Sequence, residues 1–196
     1  MSKTVHFYYD YVSPYSYFAW SALDRIKGTG AEVVHHPIFL GGLNAELGIT
    51  APAFRPGVDR IGYLMADLKR LAADYQVPMA MNSNFPMNTL NLLRGAPLAI
   101  EAGVIEAYST MGFQACWEKG LNPADRALCR TLVEEVGLDG AAWEAYVTDP
   151  ANKASLKART SEAIQAGVFG APFFIVGEER FWGQDRLHHL MRLLEG

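Results

Sequence analysis

The sequence predicts an α/β protein in which strands near both ends of the chain enclose a long helical middle. Residues 5–9 are aromatic and β-branched and predict a short buried strand, and residues 32–39 predict a second. Near the other end, residues 172–176 and 180–182 predict two more strands, joined by a turn at Gly177. A helix from residue 185 to 195 follows them.

Helix signals account for the rest of the chain. Ser13 followed by Pro14 is typical of a helix start, and the apolar positions after it recur at helical spacing until Gly28. From about residue 44 to 167 nearly every segment predicts a helix, including an apolar stripe from Ile61 to Tyr75. The predicted order is therefore β-α-β, a helical block, and β-β-α.

This order is the outline of a thioredoxin-like fold with an all-helical domain inserted after the second strand. We expect residues 1–43 and 168–196 to form the thioredoxin-like domain and residues 44–167 to form the helical insertion. Alternating strands and helices are shared by many α/β architectures, so local motifs must narrow the choice.

Composition restricts the partners and the compartment. The net charge of -4 offers no basic field for phosphates, which argues against nucleic acid as a partner. The chain reaches charged residues too early for a secretory leader, and no apolar run approaches the ~20 residues of a membrane span, which predicts a cytoplasmic protein. Cys116 and Cys129, the two cysteines, match neither a redox pair nor a zinc site and are expected to be buried thiols. No histidine spacing predicts a metal site.

The first motif is the segment 9–16, Tyr-Asp-Tyr-Val-Ser-Pro-Tyr-Ser, which runs from a strand into a helix. Unpaired N–H groups and the helix dipole favour an anion at such a helix start. Ser13 has no redox chemistry, but its hydroxyl can donate a hydrogen bond to a thiolate that another molecule supplies. The alternative is that Ser13 only caps the helix.

The second and third motifs surround the last strands. In the segment 167–176 a cis bond before Pro172 would turn the backbone of Ala171 outward, where an extended peptide could pair with it. The alternative is an ordinary trans loop proline. In the segment 181–186, Asp185 is either a helix cap or a contact to a bound ligand, and the sequence does not separate the two.

Together, the Asp-x-x-Ser-Pro-Tyr-Ser opening, Phe-Gly-x-Pro and the Gly-x-Asp-Arg ending resemble 2-hydroxychromene-2-carboxylate isomerases and kappa-class glutathione transferases. The resemblance covers the whole chain and implies glutathione as cofactor. It implies that Ser13 bonds the glutathione sulfur, that Ala171 before a cis Pro172 pairs with the cysteinyl backbone, and that Gln184 with Asp185 holds the γ-glutamyl end. Thr50 and Arg60 lie near the positions where kappa-class relatives carry an asparagine and a lysine for the tripeptide.

The resemblance also implies a reaction, the reversible conversion of a cyclic aromatic carboxylate into its open-chain trans isomer, and it implies a homodimer. We expect the substrate between the thioredoxin-like core and the helical block, near Phe85, Asn88 and Arg94. Asn88 as a helix cap and Arg94 as a solvated surface residue are the alternatives.

Three other functions remain open at this point. A kappa-type glutathione transferase or peroxidase would consume glutathione, whereas the isomerase would not. A thiol-disulfide oxidoreductase would need Cys-x-x-Cys where residues 13–16 read Ser-Pro-Tyr-Ser. A binding module without catalysis would keep the helix start but bind no glutathione.

Overall fold

A four-stranded sheet forms the centre of the computed structural model, which describes residues 3–51 and 59–196. The strands are β1 (Thr4–Tyr9), β2 (Glu32–Pro37), β3 (Phe173–Val176) and β4 (Glu179–Trp182), and their order across the sheet is β2-β1-β3-β4. β1 pairs in parallel with β2, while β3 is antiparallel to both β1 and β4. The structure confirms the predicted α/β fold and the order of strands and helices along the chain.

Helices lie between β1 and β2, between β2 and β3, and after β4. Their bounds are α1 (Pro14–Ser21), α2 (Leu23–Lys27), α3 (Leu40–Leu47), α4 (Arg60–Tyr75), α5 (Leu90–Glu101), α6 (Ile105–Trp117), α7 (Arg126–Glu135), α8 (Gly140–Thr148), α9 (Pro150–Gln165) and α10 (Leu187–Glu195). The segment predicted as one first helix is broken at Ala22 into α1 and α2. Helices α3 to α9 all lie between β2 and β3, and the division into two domains stays a prediction.

Successive strand residues point to opposite faces of the sheet, and a hydrophobic cluster packs on each face. Phe7 and Phe174 lie opposite each other on β1 and β3 and stack at 4.7 Å in the larger hydrophobic cluster. On the other face, Tyr8 and Phe173 pack in a smaller cluster with Ala163 of α9. The end of β1 is thus held from both sides, and the loop that carries Ser13 begins there.

Helix α5 contains Pro97, which lacks an N–H group and so leaves the carbonyl of Leu93 without its helical donor. Arg159 of α9 supplies the missing bond, since its Nη2 donates to the Leu93 carbonyl at 3.3 Å. The Nε of Arg159 is buried without a hydrogen-bond partner. The carbonyl that Pro97 leaves free is therefore the point at which α9 is hydrogen-bonded to α5.

The cysteines have the predicted environment. Cys116 and Cys129 are both buried and free, and burial raises the pKa of both thiols. No helix in residues 3–51 and 59–196 is long and apolar enough to cross a membrane. Within the same residues, no group of three or more histidine, cysteine, aspartate and glutamate side chains gathers as a metal site.

Candidate active site

Ser13 lies at the amino end of α1, where the loop from β1 enters the helix. Its backbone is extended, and its Oγ accepts a hydrogen bond from the N–H of Ser16 at 3.1 Å. The same hydroxyl donates to the carbonyl of Ala171 at 3.0 Å, and the residue is 4% exposed. Ser13 is therefore a helix cap, and it also joins the start of α1 to the loop before β3.

The Ala171–Pro172 peptide bond is cis, and it brings the carbonyl of Ala171 to the Ser13 hydroxyl. The carbonyl of Pro172 accepts from the N–H of Gly183 at 3.0 Å, so the loop before β3 is also joined to the segment after β4. Gly183 has φ +100°, a conformation that favours glycine. Two backbone segments thus converge on the start of α1.

Gln184 and Asp185 form a short 3-10 turn (Gln184–Arg186) between β4 and α10. Gln184 is buried, and its carbonyl accepts from the hydroxyl of Tyr75 at 3.2 Å. Asp185 is not a side-chain cap of α10; its carboxylate is 58% exposed and pairs with Arg186 at 2.8 Å. The structure does not show Asp185 capping α10, and its contact to a ligand stays a prediction.

Ser16, one turn into α1, has a different environment from Ser13. It is fully buried, and its Oγ has no hydrogen-bond partner. A buried hydroxyl without a partner costs free energy, so Ser16 is a local weakness of this helix.

Asp10 is a buried acid near Ser13 to which the sequence alone assigned no role. It is completely buried, and its carboxylate accepts hydrogen bonds from Val12, Leu40 and Thr89. Burial raises the pKa of this carboxyl to about 6, against the opposing effect of these hydrogen bonds. The available signal was an acid directly after a buried strand, within the motif that contains Ser13.

Comparisons with known proteins show the fold and the family of this chain. A DSBA-like thioredoxin domain matches residues 4–195. The 2-hydroxychromene-2-carboxylate isomerase of Sphingobium xenophagum is 36% identical over 97% of this chain and 97% of its own length. This chain belongs to the 2-hydroxychromene-2-carboxylate isomerase family. A solved structure of such an isomerase superposes with a TM-score of 0.89 at 29% identity, covering 97% of this chain and 94% of the other.

Human glutathione S-transferase kappa 1 is a more distant relative of this isomerase-family enzyme. It is 24% identical over 99% of this chain and 92% of its own length. Both families that the motifs resemble are therefore found among its relatives.

The substrate-side residues predicted for this isomerase-family enzyme separate into two places. Phe85 is half-buried with its ring 5.8 Å from that of Trp117, and Asn88 is exposed. The Asn88 side chain accepts from the N–H of Leu90 at 3.1 Å, which supports the capping interpretation. Asn88 directly precedes Thr89, whose hydroxyl donates to Asp10 at 2.7 Å, and Phe85 lies four residues before Thr89.

Arg94 lies within α5, whereas Phe85 and Asn88 lie in the segment before this helix. Asn91, one turn earlier, donates to the carbonyls of Pro123 and Ala124 before α7. Residues three apart share a helix face, so Arg94 faces the same region. Burial, and then the charge of Arg126, lower its pKa, and its Nε is buried without a partner. Arg94 is thus half-buried rather than fully solvated.

Thr50 and Arg60 are both exposed and lie on either side of residues 52–58. The predicted tripeptide-binding segment from 48 to 60 therefore falls partly outside the described residues. Arg60 is the first residue of α4, which Asp59 caps by accepting from the N–H of Gly62 at 2.8 Å. The roles of Thr50 and Arg60 stay predictions.

Proposed function

We propose that this protein is a glutathione-dependent isomerase that converts 2-hydroxychromene-2-carboxylate into trans-o-hydroxybenzylidenepyruvate. The observation that carries the proposal is the hydrogen bond between the Ser13 hydroxyl and the Ala171 carbonyl at the amino end of α1. It joins a helix start, which favours an anion, to a backbone acceptor beside a cis proline, which suits a peptide. Glutathione is a short peptide that carries a thiol.

Glutathione can enter without loss of hydrogen bonds. In the ligand-free chain, the only hydroxyl proton of Ser13 is directed at Ala171. The cysteinyl N–H of glutathione would take over the Ala171 carbonyl, and the Ser13 hydroxyl would turn to the sulfur. Its lone pair would still accept from Ser16. Hydrogen bonds to an ionised group are the stronger ones, so this exchange favours the thiolate over the thiol.

The thiolate would then act as a reversible nucleophile. The hemiketal ring has to open first: its C–O bond to the aromatic oxygen breaks as the hydroxyl carbon becomes a ketone, and the hydroxyl proton passes to the phenolic oxygen. When bound, the cofactor would supply a sulfur that adds reversibly to the double bond conjugated with this ketone, so that the bond could rotate as a single bond before the sulfur leaves again. Glutathione leaves unchanged, so Ser13 has to hold a thiolate but never has to form a covalent bond.

The remaining ligand contacts follow from the same placement. Gln184 and Asp185, joined to the cis-proline loop through Gly183, would hold the γ-glutamyl end, with the exposed Asp185 carboxylate on its ammonium. Thr50 and Arg60 would reach the glycyl carboxylate. Phe85 and Asn88 would contact the aromatic substrate, while Arg94, which faces α7, would meet the substrate carboxylate only if that carboxylate reaches the far side of α5.

We also propose a homodimer located in the cytoplasm. The support for the compartment is that Cys116 and Cys129 are free thiols, which a reducing environment preserves. The support for the dimer is the resemblance to the isomerase and kappa-class families. Sedimentation at several protein concentrations tests the assembly.

The decisive experiment follows the chromene and the thiol in one reaction. Enzyme, glutathione and 2-hydroxychromene-2-carboxylate should give the trans isomer while free thiol, measured with a disulfide reagent, stays constant. Steady loss of thiol would instead indicate a kappa-type transferase or peroxidase. Reduction of insulin would support an oxidoreductase, and calorimetry without glutathione binding would leave only a binding module.

A further inference from the structure

Asp10 lies where three connections of the chain meet. Its Oδ1 accepts from the N–H of Val12 at 3.1 Å and from the hydroxyl of Thr89 at 2.7 Å. Its Oδ2 accepts from the N–H of Leu40 at 2.9 Å. These donors belong to the loop before α1, the first residue of α3 and the residue before α5. A single carboxylate therefore fixes the relative positions of three segments that are far apart in sequence.

Two of these three segments, those of Val12 and Thr89, lie next to candidate site residues. Val12 precedes Ser13, and the N–H of Ser13 also donates to the backbone carbonyl of Asp10 at 3.1 Å. Thr89 follows the segment that contains Phe85 and Asn88. The contact between Asp10 and Thr89 is thus a direct hydrogen-bonded link between the loop before Ser13 and the predicted substrate wall.

The choice of a carboxylate at this position asks for an explanation, because a buried charge is costly. Within residues 3–51 and 59–196, no lysine, arginine or histidine forms an ion pair with Asp10. Stability alone is often served as well by apolar residues of similar volume. What an apolar side chain cannot do is hold three separate donors at fixed distances from one another.

We propose that Asp10 is a positioning residue that sets the distance between the sulfur held at Ser13 and the substrate wall at Phe85 and Asn88. The inference rests on the proposed function. Asp10 itself is completely buried, so it contacts neither glutathione nor substrate and acts through Val12 and Thr89. Its effect is expected on the rate of the reaction more than on cofactor binding, since a displacement of about 1 Å can cost 10²-fold in rate.

Thr89→Val separates the two ends of the site with the least disturbance. Valine has the shape of threonine, so the change removes the donor to Asp10 and leaves Val12 and Ser13 in place. The glutathione dissociation constant and the pKa of the bound thiol, followed by thiolate absorbance, should stay within about twofold and 0.3 units of wild type. The kcat for the chromene should fall about tenfold or more. Hydrogen exchange should accelerate in residues 85–92 but not in 11–16.

Asp10→Asn should accelerate exchange in both segments, because the neutral amide oxygen is a weaker acceptor than the carboxylate for Val12 and Thr89, and the amide nitrogen cannot accept from Leu40. If Asp10→Asn does not fold, Thr89→Val decides alone. Thr110→Val is the matched control, since its hydroxyl accepts from Trp20 Nε1 at 3.0 Å, at the end of α1 away from Ser13. It should leave kcat and both exchange rates unchanged.

Equal losses of kcat in Thr89→Val and Thr110→Val, or unchanged exchange in residues 85–92 of Thr89→Val, would overturn the proposal. Absence of glutathione binding to the wild-type protein is a different result. It would remove the proposed function, while the exchange pattern would still decide whether Asp10 holds the two segments together.

Discussion

Replacement of Ser13 by alanine removes two hydrogen bonds at once, and the two losses are measured separately. The Ser16 N–H loses its cap, which costs about 1 kcal/mol, and the Ala171 carbonyl loses its donor, which the partly exposed loop replaces with water. We expect the free energy of unfolding to fall by about 1 to 2 kcal/mol. For a chain of this size the midpoint of thermal unfolding should fall by about 3 to 6 °C.

The chemical loss is larger than the structural loss. A hydrogen bond to a charged group contributes about 1.5 to 3 kcal/mol, so without it the pKa of bound glutathione should rise by about 1 to 2 units. The loss of one donor to a developing or bound anion lowers kcat by about 10²-fold. Thiolate absorbance, followed as a function of pH with saturating glutathione, measures the pKa, and chromene turnover measures kcat.

Two controls separate the cap from the chemistry. Asp139→Ala removes a cap of the same kind, at the start of α8, where Asp139 accepts from the N–H of Ala142 at 2.7 Å. It should lower stability by about 1 kcal/mol and leave thiol pKa and kcat unchanged. Ser13→Thr keeps the hydroxyl and should retain most of the activity. A bound thiol with an unchanged pKa in Ser13→Ala would refute the role of Ser13 in holding the sulfur.

Three further predictions concern stability. The pKa of Asp10 is about 6 in the folded chain and 3.8 in its ordinary range, so the folded protein binds the proton more tightly. The free energy of unfolding should therefore fall by about 3 kcal/mol from this group as the pH rises from about 4 to 6, and urea unfolding of Asp10→Asn should lack that decrease. Ser16→Ala should raise stability by about 1 kcal/mol in chemical denaturation, because the buried hydroxyl has no partner to lose; a decrease would show that a partner exists. Gly95→Ala places a methyl group against Trp143 Nε1 and 2.5 Å from the Tyr108 hydroxyl, both buried. It should lower the melting temperature by about 3 to 10 °C, and a change below 1 °C would contradict this packing argument.

The features that were predictable from the sequence are those with a local signal. Pro14 after Ser13 specifies a helix start within two residues, and the aromatic segments before Ser13 and after Pro172 specify strands. Ser13 and Ala171 were both predicted as site residues, yet the bond between them spans 158 positions and could not be read from either motif. The motifs indicated both residues but not the hydrogen bond between them.

The features that were not predictable depend on tertiary contacts. Asp10 and Thr89 are 79 residues apart, and neither pattern indicates the other. The interpretation of Asp185 as a helix cap was wrong because a 3-10 turn places its carboxylate beside Arg186. Arg94 falls on the face of α5 that meets α7, which depends on the packing of the helical block rather than on helical periodicity.

The missing N–H of Pro97 in α5 affects the loop before Ser13 through a series of hydrogen bonds. Because Pro97 cannot donate, Arg159 is anchored on Leu93, and this sets where α9 sits. The next residue, Thr160, accepts from the N–H of Phe39, and the following N–H, that of Leu40, reaches Asp10. Three hydrogen bonds, linked through adjacent residues, thus connect the missing donor in α5 to the carboxylate of Asp10 before Ser13, so the helical block is part of the scaffold that orients the serine hydroxyl.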